Sequence, residues 1–542
     1  MNTLFYGDNL YILREHVADE SVDLIYLDPP FNSKATYNVL FKERTGEASA
    51  AQIRAFEDTW HWGEEAERAY TEIMDSPIAS SLTKEMVGSL RKALGDRNDM
   101  TAYLLMMAVR LLELRRVLKP TGSLYLHCDP TASHYIKIIM DSVFGYQSFR
   151  NEIIWRRINA KGLAFTRLAS NHDVIMRYSK SDKFIWNPEY ATHEPTYVEK
   201  FYRFTEPETG RRYTLGDLGN PNRDRPNLTY KFLGVTRVWR WTKERMQAAY
   251  DQGLIVQSKP EAIPRLKRYL DEQEGNPIDY IWTDIRPIQA QAKERLGYPT
   301  QKPLALLERI IQTSSNEGDV VLDPFCGCGT AVAAAHKLNR QWLGIDITHL
   351  AVALMKHRLK DMFNLVPGED YQVIGEPVDV TGARQLAQED RYQFQYWALS
   401  LLEARPEERK KGADRGVDGT IFFIDGPRRT SHKVVIQVKS GHVAPTHVRD
   451  LKGVVEREGA ALGFFITLEE PTRDMTTEAA SAGFFHSDLM SRDYPEIQIR
   501  TIKELLGGRA FEMPLRPVQF QQAQRVRRQE GVQAPLANQG IG

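Results

Sequence analysis

Several features that define other classes of protein are missing from this sequence of 542 residues. It has three cysteines, Cys128, Cys326 and Cys328, which are too few for a disulfide framework. Cys326 and Cys328 form a C-x-C pair with no second pair to match it, so a zinc site is not expected. No apolar run approaches the ~20 residues of a membrane span, and no basic and then apolar signal segment opens the chain. We therefore expect a cytoplasmic location and no membrane partner.

The sequence also lacks an excess of charge of either sign, since 71 Lys and Arg balance 71 Asp and Glu. A surface that binds nucleic acid must then be a local basic patch. Residues 151–270 contain 22 Lys and Arg against 13 Asp and Glu, with aromatic residues between them. An ordinary solvated face could have the same excess. Six arginines are the candidates for contacts to phosphates or base edges: Arg211, Arg212, Arg223, Arg225, Arg237 and Arg240.

The most informative stretch is Leu24-Ile25-Tyr26-Leu27-Asp28-Pro29-Pro30-Phe31. Its four apolar residues predict a strand buried on both faces, and Asp-Pro-Pro ends that strand abruptly. An acid is thus left at the carboxyl end of a strand, where open α/β sheets bind their ligands. The two prolines stiffen the turn and donate no N–H, so its carbonyls can act as acceptors. Asp28, the Pro29 carbonyl and the Phe31 ring together suit a planar base with an exocyclic amine.

A second motif lies far downstream, at residues 318–330. It combines a strand, Asp-Pro-Phe, a glycine-rich turn and the start of a helix of small residues. Glycines in such a turn let a ligand approach backbone N–H groups. The next strand ends at Asp346, an acid in the position that holds a ribose diol. The first strand, Thr3 to Tyr6, is also followed by an acid, Asp8.

The first motif resembles the Asp-Pro-Pro-Tyr/Phe signature of DNA amino-methyltransferases, and the second resembles their S-adenosylmethionine loop. With the motifs in this order, residues 1 to about 365 resemble the β class of these enzymes. The resemblance implies an α/β fold, a circularly permuted Rossmann-like sheet with an inserted target-recognition region. It implies catalysis by Asp28, Pro29, Pro30 and Phe31. It also implies cofactor contacts from Asp8, Lys302, Asp323, Phe325, Gly327, Gly329, Thr330 and Asp346.

The chemistry expected of such a site is methylation of an exocyclic amine. The lone pair of this amine is delocalised into the ring, so acceptors at Asp28 and Pro29 favour the pyramidal nitrogen that attacks the sulfonium methyl. Because the amine lies inside the duplex, the base must be flipped out, and Phe31 can replace the lost stacking. Asp in the first position of the motif favours adenine N6, with cytosine N4 as the alternative.

The C-terminal part carries a separate pattern. Asp418 precedes one predicted strand, and Gln437 and Lys439 end the next, so an acid and a polar-x-Lys could converge at one edge of a hairpin. That arrangement suits a divalent cation and an attacking water. It resembles the PD-(D/E)xK nuclease fold, in particular the Mrr-like branch with Gln in the middle position. The resemblance implies Asp418 and Gln437 as Mg²⁺ ligands, Lys439 beside the scissile phosphate, and a contribution from Glu403.

These resemblances predict an order of domains and leave two functions open. The leading function is methylation of double-stranded DNA by a chain with a fused nuclease, in restriction-modification or defence. The alternative is a methyltransferase whose C-terminal domain binds DNA or docks a partner without cleaving. A homodimer and a separate restriction subunit are further expected partners. The predicted parts are a catalytic half at 1–155 with a helical insertion at about 42–100, a target-recognition region at 156–290, a cofactor half at 291–365, a linker at 366–388, a restriction-endonuclease-like α/β domain at 389–510 and a tail at 511–542.

Overall fold

A computed structural model describes most of the chain. The described residues fall into two compact units, Pro188–Asp279 and the remainder of the chain on both sides of it. Among the described helices, none combines the length and apolarity needed to cross a membrane. The structure describes residues 1–30, 64–95, 98–157, 168, 170–191, 193, 195–273, 275–289, 291–296, 298, 300–406, 416–426 and 430–514.

Strands and helices alternate through the first part of the larger unit. The strand predicted before Asp28 is confirmed, and all six of its residues are buried. The apolar helix Asp99–Val117 is mostly buried, and it is capped by Asn98, whose side chain accepts from the Thr101 N–H. The elements are β1 Thr3–Tyr6, α1 Asn9–His16, β2 Val22–Leu27, α2 Glu64–Asp75, α3 Ser81–Leu94, α4 Asp99–Val117, β3 Leu118–Cys128, α5 Pro130–Phe144, β4 Phe149–Trp155 and β5 Asp173–Ser179.

The unit Pro188–Asp279 is built from short strands. Its core is a small apolar cluster around Trp239, which is fully buried, with Phe232 and Met246 against it. The strands form a four-stranded sheet in the order Ile255–Val256, Arg265–Tyr269, Arg212–Asp217 and Phe204–Thr205. Two further antiparallel pairs join Thr229–Phe232 to Val235–Val238 and Tyr190–Ala191 to Asn276–Pro277. The elements are β6 Tyr190–Ala191, α6 Pro195–Phe201, β7 Phe204–Thr205, β8 Arg212–Asp217, β9 Thr229–Phe232, β10 Val235–Val238, α7 Lys243–Asp251, β11 Ile255–Val256, β12 Arg265–Tyr269 and β13 Asn276–Pro277.

The chain then returns to the larger unit and completes its main sheet. Segment 366–388, predicted as a linker, contributes an edge strand to this sheet, because residues 372–374 pair with β1. Much of the remaining segment is helical. The elements up to that point are β14 Ile281–Trp282, α8 Leu304–Ser314, β15 Val320–Asp323, α9 Thr330–Lys337, β16 Gln341–Asp346, α10 His349–Phe363 and β17 Gln372–Ile374.

The main sheet has nine strands in the order β14-β4-β5-β3-β2-β15-β16-β1-β17. All neighbouring strands from β3 to β17 are parallel, whereas β5 runs antiparallel to β3 and β4. Strands β2 and β15 are adjacent although a long stretch of chain separates them, so the two motifs meet at the centre of the sheet. This is the mixed α/β, Rossmann-like sheet that the sequence predicts.

The C-terminal module has its own five-stranded sheet, in the order Arg405–Pro406, Gly419–Asp425, Thr430–Lys439, Leu462–Thr467 and Ile497–Thr501. Its core contains Phe394, Trp397, Phe423 and Phe464, all of which are buried. We refer to residues 380–506 as the endonuclease-like module. Its elements are α11 Val380–Glu389, α12 Arg391–Ser400, β18 Arg405–Pro406, β19 Gly419–Asp425, β20 Thr430–Lys439, α13 Pro445–Arg457, β21 Leu462–Thr467, α14 Arg473–Ala480, β22 Phe484–Ser487, β23 Arg492–Pro495, β24 Ile497–Thr501 and α15 Ile502–Leu506.

Candidate active site

The carboxyl ends of the parallel strands bring the predicted acids together. Asp28 follows β2, Asp323 ends β15, Asp346 ends β16, and Asp8 follows β1. All four line one cavity of about 2450 Å³. Of the other predicted site residues that the structure describes, the same cavity is lined by Pro29, Pro30, Lys302, Phe325, Gly327 and Thr330. Phe31 lies outside the described residues.

Lys302 forms an ion pair with Asp28, through its Nζ and the Asp28 Oδ2. Both side chains are mostly buried, with 13% and 16% of their surface exposed. The family resemblance implies Lys302 as a cofactor contact, whereas the structure places it directly against the predicted catalytic acid. The ion pair engages one of the two carboxylate oxygens of Asp28, Oδ2.

The two acids of the cofactor half are in an unusual electrostatic environment. Burial raises the pKa of Asp323 to about 8, and the nearby charges of Asp28 and Asp346 also raise it. The hydrogen bond from the Phe325 N–H opposes this rise but does not cancel it. Burial also raises the pKa of Asp346, although the N–H and hydroxyl of Thr348 and the N–H of Gly327 donate to it. A cavity wall of this kind favours a ligand that brings positive charge.

The glycine-rich turn is fixed by contacts that leave no room for side chains. Gly327 has φ +51°, and a Cβ there would lie 2.9 Å from the Tyr298 ring. Its N–H donates to Asp346 Oδ2 over 2.8 Å, which joins the turn to the end of the next strand. Gly329 has φ +71° and caps α9, and a Cβ there would lie 2.5 Å from Met355. Gly329 is not among the described residues that line the cavity. Its part is to let the turn pack closely against Met355.

The side chains of two predicted cofactor residues, Asp8 and Thr330, make hydrogen bonds within the protein. Asp8 caps α1, since its Oδ1 accepts from the Leu10 N–H over 2.7 Å, and its Oδ2 accepts from Arg110. The hydroxyl of Thr330 accepts from the buried Arg358 over 2.9 Å. Thr330 can therefore offer the cavity its backbone more readily than its side chain.

A buried hydrogen-bond chain next to Asp28 was not predicted. The Tyr26 hydroxyl bonds His127 Nδ1 over 2.9 Å, and His127 Nε2 bonds Asp173 Oδ2 over 3.1 Å. Burial acts to raise the pKa of Asp173, but the hydrogen bond with His127 and the nearby charges of His127, Lys302 and Arg157 together lower it. Tyr26 and His127 could be noticed as polar groups on apolar strands. Asp173 could not, because the antiparallel pairing of β5 with β3 has no local signal in the sequence.

Four of the six arginine candidates are engaged inside the unit Pro188–Asp279. Arg211 pairs with Asp271 and Glu272, and Arg212 donates to the Tyr202 carbonyl. Arg240 donates to the Gly219 carbonyl, and Arg237 lies 3.5 Å from Asp217. The remaining two, Arg223 and Arg225, are exposed between β8 and β9. For these two exposed residues, contact with phosphates stays a prediction.

In the endonuclease-like module, the hairpin brings two of the four predicted residues together. Asp418 Oδ2 accepts from the Val438 N–H over 2.7 Å, and Gln437 Nε2 donates to the Gly416 carbonyl over 2.5 Å. Glu403 lies elsewhere, because Pro406 is paired with Gly419 and the chain before it runs away from Asp418 along β19. Glu403 instead pairs with Lys360 of α10.

This donor set does not fit Mg²⁺, which prefers several carboxylate and water oxygens. One oxygen of Asp418 accepts from a backbone N–H, and the Gln437 side chain donates to the Gly416 carbonyl. Glu403 pairs with Lys360 and does not supply a second carboxylate to this pair. In the part of the chain that the structure describes, no group of three or more His, Cys, Asp and Glu could hold a metal ion.

Lys439 instead lines a smaller pocket of about 470 Å³ in the module. Arg384 and Arg391 of helices α11 and α12 lie in the same wall, together with His442 and His447. Neither Asp418 nor Gln437 is among the described residues that line this pocket. The pocket is therefore basic, and it is separate from the predicted metal ligands.

Residues 22–357 match the sequence model of a family described as DNA methylase, of the N6/N4 type. The chain belongs to this family. Residues 391–507 match a second family, described as NACHT-associated inactive Restriction Endonuclease 1. The fusion predicted from the sequence is thus confirmed, whereas the Mrr-like branch is not.

Known relatives are similar to the methyltransferase part of the chain. The type II methyltransferase M.EcaI of Enterobacter cloacae is 29% identical over 298 residues, which are 54% of this chain and 65% of that enzyme, just under two thirds. The DNA adenine methyltransferase YhdJ of Escherichia coli K12 is 24% identical, over 66% of this chain and 82% of that protein. A putative DNA modification methylase from Thermus thermophilus, solved with S-adenosyl-L-methionine, is 18% identical with a TM-score of 0.33, over 70% of this chain and 99% of that one.

Proposed function

We propose that the protein transfers a methyl group from S-adenosylmethionine to the exocyclic amine of a flipped base in double-stranded DNA. The observation that carries this proposal is that Asp28, Asp323 and Asp346 line one common cavity. It supports the proposal because the predicted acceptor of the amine and the predicted cofactor loop line the same cavity. S-adenosylmethionine supplies the methyl group on a sulfonium, a good leaving centre.

The residues of the chain account for the remaining chemistry. Lys302 holds Asp28 Oδ2, so Oδ1 can accept from an N–H of the target amine. A second acceptor is the Pro29 carbonyl, in a turn that two prolines stiffen. Acceptance of both N–H groups pyramidalises the nitrogen, whose lone pair then attacks the methyl carbon as the carbon–sulfur bond breaks. The amine loses one proton, to Asp28 or to water.

We further propose adenine N6 as the acceptor. The Asp at the first position of the motif supports this choice, and the Escherichia coli relative is named as an adenine enzyme. DNA is incubated with the full-length protein and S-adenosylmethionine and is then digested to nucleosides. Mass spectrometry of the digest should detect N6-methyl-2′-deoxyadenosine. Methylation confined to cytosine N4 would contradict the adenine proposal while supporting methyl transfer to an amine.

Cofactor binding is expected to release a proton. With a pKa of about 8, Asp323 is mostly protonated in the free protein at pH 7, and a bound cation favours its ionised form. Titration calorimetry in buffers of different ionisation enthalpy should detect roughly 0.5 to 1 proton released per S-adenosylmethionine at pH 7. The release should fall toward zero above pH 9, and Asp323→Asn should release clearly less than wild type at pH 7. Equal proton release by wild type and Asp323→Asn would contradict this role.

For the endonuclease-like module we propose binding of DNA without cleavage. Its family match is to an inactive endonuclease, and its Asp418 and Gln437 do not form a Mg²⁺ site. The basic pocket around Lys439 and Arg391 offers a place for a phosphate group. The predicted nuclease activity therefore has no support, and the non-cleaving alternative is preferred.

The module is tested by separating binding from cutting. Wild-type protein with Mg²⁺ should leave methylated and unmethylated plasmid intact, as should Asp418→Ala. Lys439→Ala combined with Arg391→Ala should weaken DNA binding roughly three- to tenfold, with a smaller dependence on salt. Arg457→Ala, on the exposed face of α13, is the matched control for lost charge. Plasmid cutting by wild type that Asp418→Ala abolishes would contradict the proposal.

A further inference from the structure

Part of the cofactor cavity is built by the endonuclease-like module. Glu389, Asp390 and Gln393, at the corner where α11 ends and α12 begins, line the cavity together with Asp346. Helix α11 also contributes Leu386, which lines the cavity and belongs to the buried core of the module. The module's own core therefore fixes the position of this corner.

Hydrogen bonds and ring contacts attach the corner to the strand ends that carry the cofactor acids. Gln393 Oε1 accepts from the His349 N–H over 3.2 Å, at the start of α10 and three residues after Asp346. The Tyr6 ring stacks on His349, with ring centroids 3.6 Å apart. Burial raises the pKa of Tyr6 above its usual range, and the carboxylates of Asp390 and Glu389 add to that shift. Glu389 and Asp390 thus lie close enough to Tyr6 to influence it, as Asp346 does.

The chemistry of the cofactor indicates what these acids can bind. Asp346 is the expected partner of the ribose, so the attached adenine must lie within a few ångströms of it. Ile347, which follows Asp346, is 52% exposed in the same cavity and offers an apolar face to a flat ring. Adenine presents an amine with two N–H donors on its edge. Carboxylates accept from such an amine and repel a carbonyl oxygen in its place.

We propose that the endonuclease-like module completes the cofactor site, with Glu389 and Asp390 accepting hydrogen bonds from the exocyclic amine of the cofactor's adenine. This inference rests on the proposed use of S-adenosylmethionine. It makes the module a part of the methyltransferase site, in addition to any contact that the module makes with DNA. The two acids are then specificity-determining residues for the adenine of the cofactor.

The test compares two ligands that differ at one position of the base. S-adenosylhomocysteine carries the amine, and S-inosylhomocysteine carries a carbonyl oxygen instead. Titration calorimetry with the full-length protein should show roughly tenfold or greater preference for the adenosine compound. In the double variant Glu389→Gln, Asp390→Asn the preference should fall to about threefold or less, because an amide can accept from an amine or donate to a carbonyl. Asn caps a helix as well as Asp does, so α12 keeps its cap.

A matched control is Asp379→Asn, which exchanges the acid that caps the opposite end of α11. Asp379 is not among the described residues lining the cavity, so its substitution should keep the wild-type preference. Thermal unfolding of each variant shows whether the fold is retained. A double variant that is folded and keeps the full preference would overturn the inference, as would wild-type protein that binds both ligands equally. Wild-type protein that binds neither ligand would overturn the proposed methyltransferase function, and this inference with it.

Discussion

Asp28→Asn is expected to lower the rate of methyl transfer to DNA by roughly 10²- to 10³-fold, the usual cost of removing one preorganised polar group from a reacting centre. The substitution keeps the size of the side chain but removes its charge. It also breaks the ion pair with Lys302. The amide can still accept one hydrogen bond, so Asp28→Ala should be at least as slow. Affinity for S-adenosylhomocysteine should change by less than threefold, because Asp28 is assigned to the base.

The measurement is single-turnover transfer of labelled methyl, with cofactor affinity determined in parallel. Asp129→Asn is the matched control. Asp129 follows the neighbouring strand β3, lines the same cavity and caps α5, a role that Asn also performs. Its variant should transfer methyl within about threefold of wild type. Equal losses in both variants would mean that the cavity, and not Asp28 in particular, is sensitive to charge.

Gly327→Ala is expected to weaken cofactor binding by roughly 10- to 100-fold, which corresponds to about 1.4 to 2.8 kcal/mol. Two penalties combine at this position. The backbone has φ +51°, and the new Cβ would lie 2.9 Å from the Tyr298 ring. The turn must shift, and with it the N–H that donates to Asp346. Methyl transfer at low cofactor concentration should fall in proportion, while saturating cofactor should recover much of the rate.

Gly318→Ala separates backbone strain from loss of the site. Gly318 also has a positive φ, +84°, but no described atom lies within 4 Å of the added Cβ. This variant should lose about 1 kcal/mol or less of unfolding free energy and keep its cofactor affinity. If the two variants bound cofactor equally well, the proposed position of the cofactor at Gly327 would be wrong.

The parts of the fold that rest on local patterns could be predicted. Strand β2 is a continuous apolar run, and the Asp323 loop has its glycines at fixed spacing, so each motif is legible without its surroundings. With the motifs in this order, the family resemblance implies that β2 and β15 share a sheet, as they do. The hairpin that sets Asp418 against Val438 follows from two neighbouring strands in the same way.

Features that depend on distant pairing could not be predicted. Lys302 and Asp28 meet across 274 positions of the sequence, and no local pattern distinguishes a cofactor contact from an ion pair with the catalytic acid. The resemblance to the nuclease fold implies Glu403 as part of the Asp418 site, but the register of β18 places it away from Asp418. Likewise, nothing around Glu389 predicts that a helix corner of the second module lines the cofactor cavity.

The most direct test of the central claim is transfer of a labelled methyl group by the full-length wild-type protein. Double-stranded DNA that lacks prior methylation is incubated with methyl-labelled S-adenosylmethionine and digested to nucleosides. The structure predicts label in a nucleoside methylated on its exocyclic amine, at a rate that Asp28→Asn reduces by at least ~10²-fold. Tight binding of the cofactor without any label in DNA would contradict the assignment of this cavity as a methyltransferase active site.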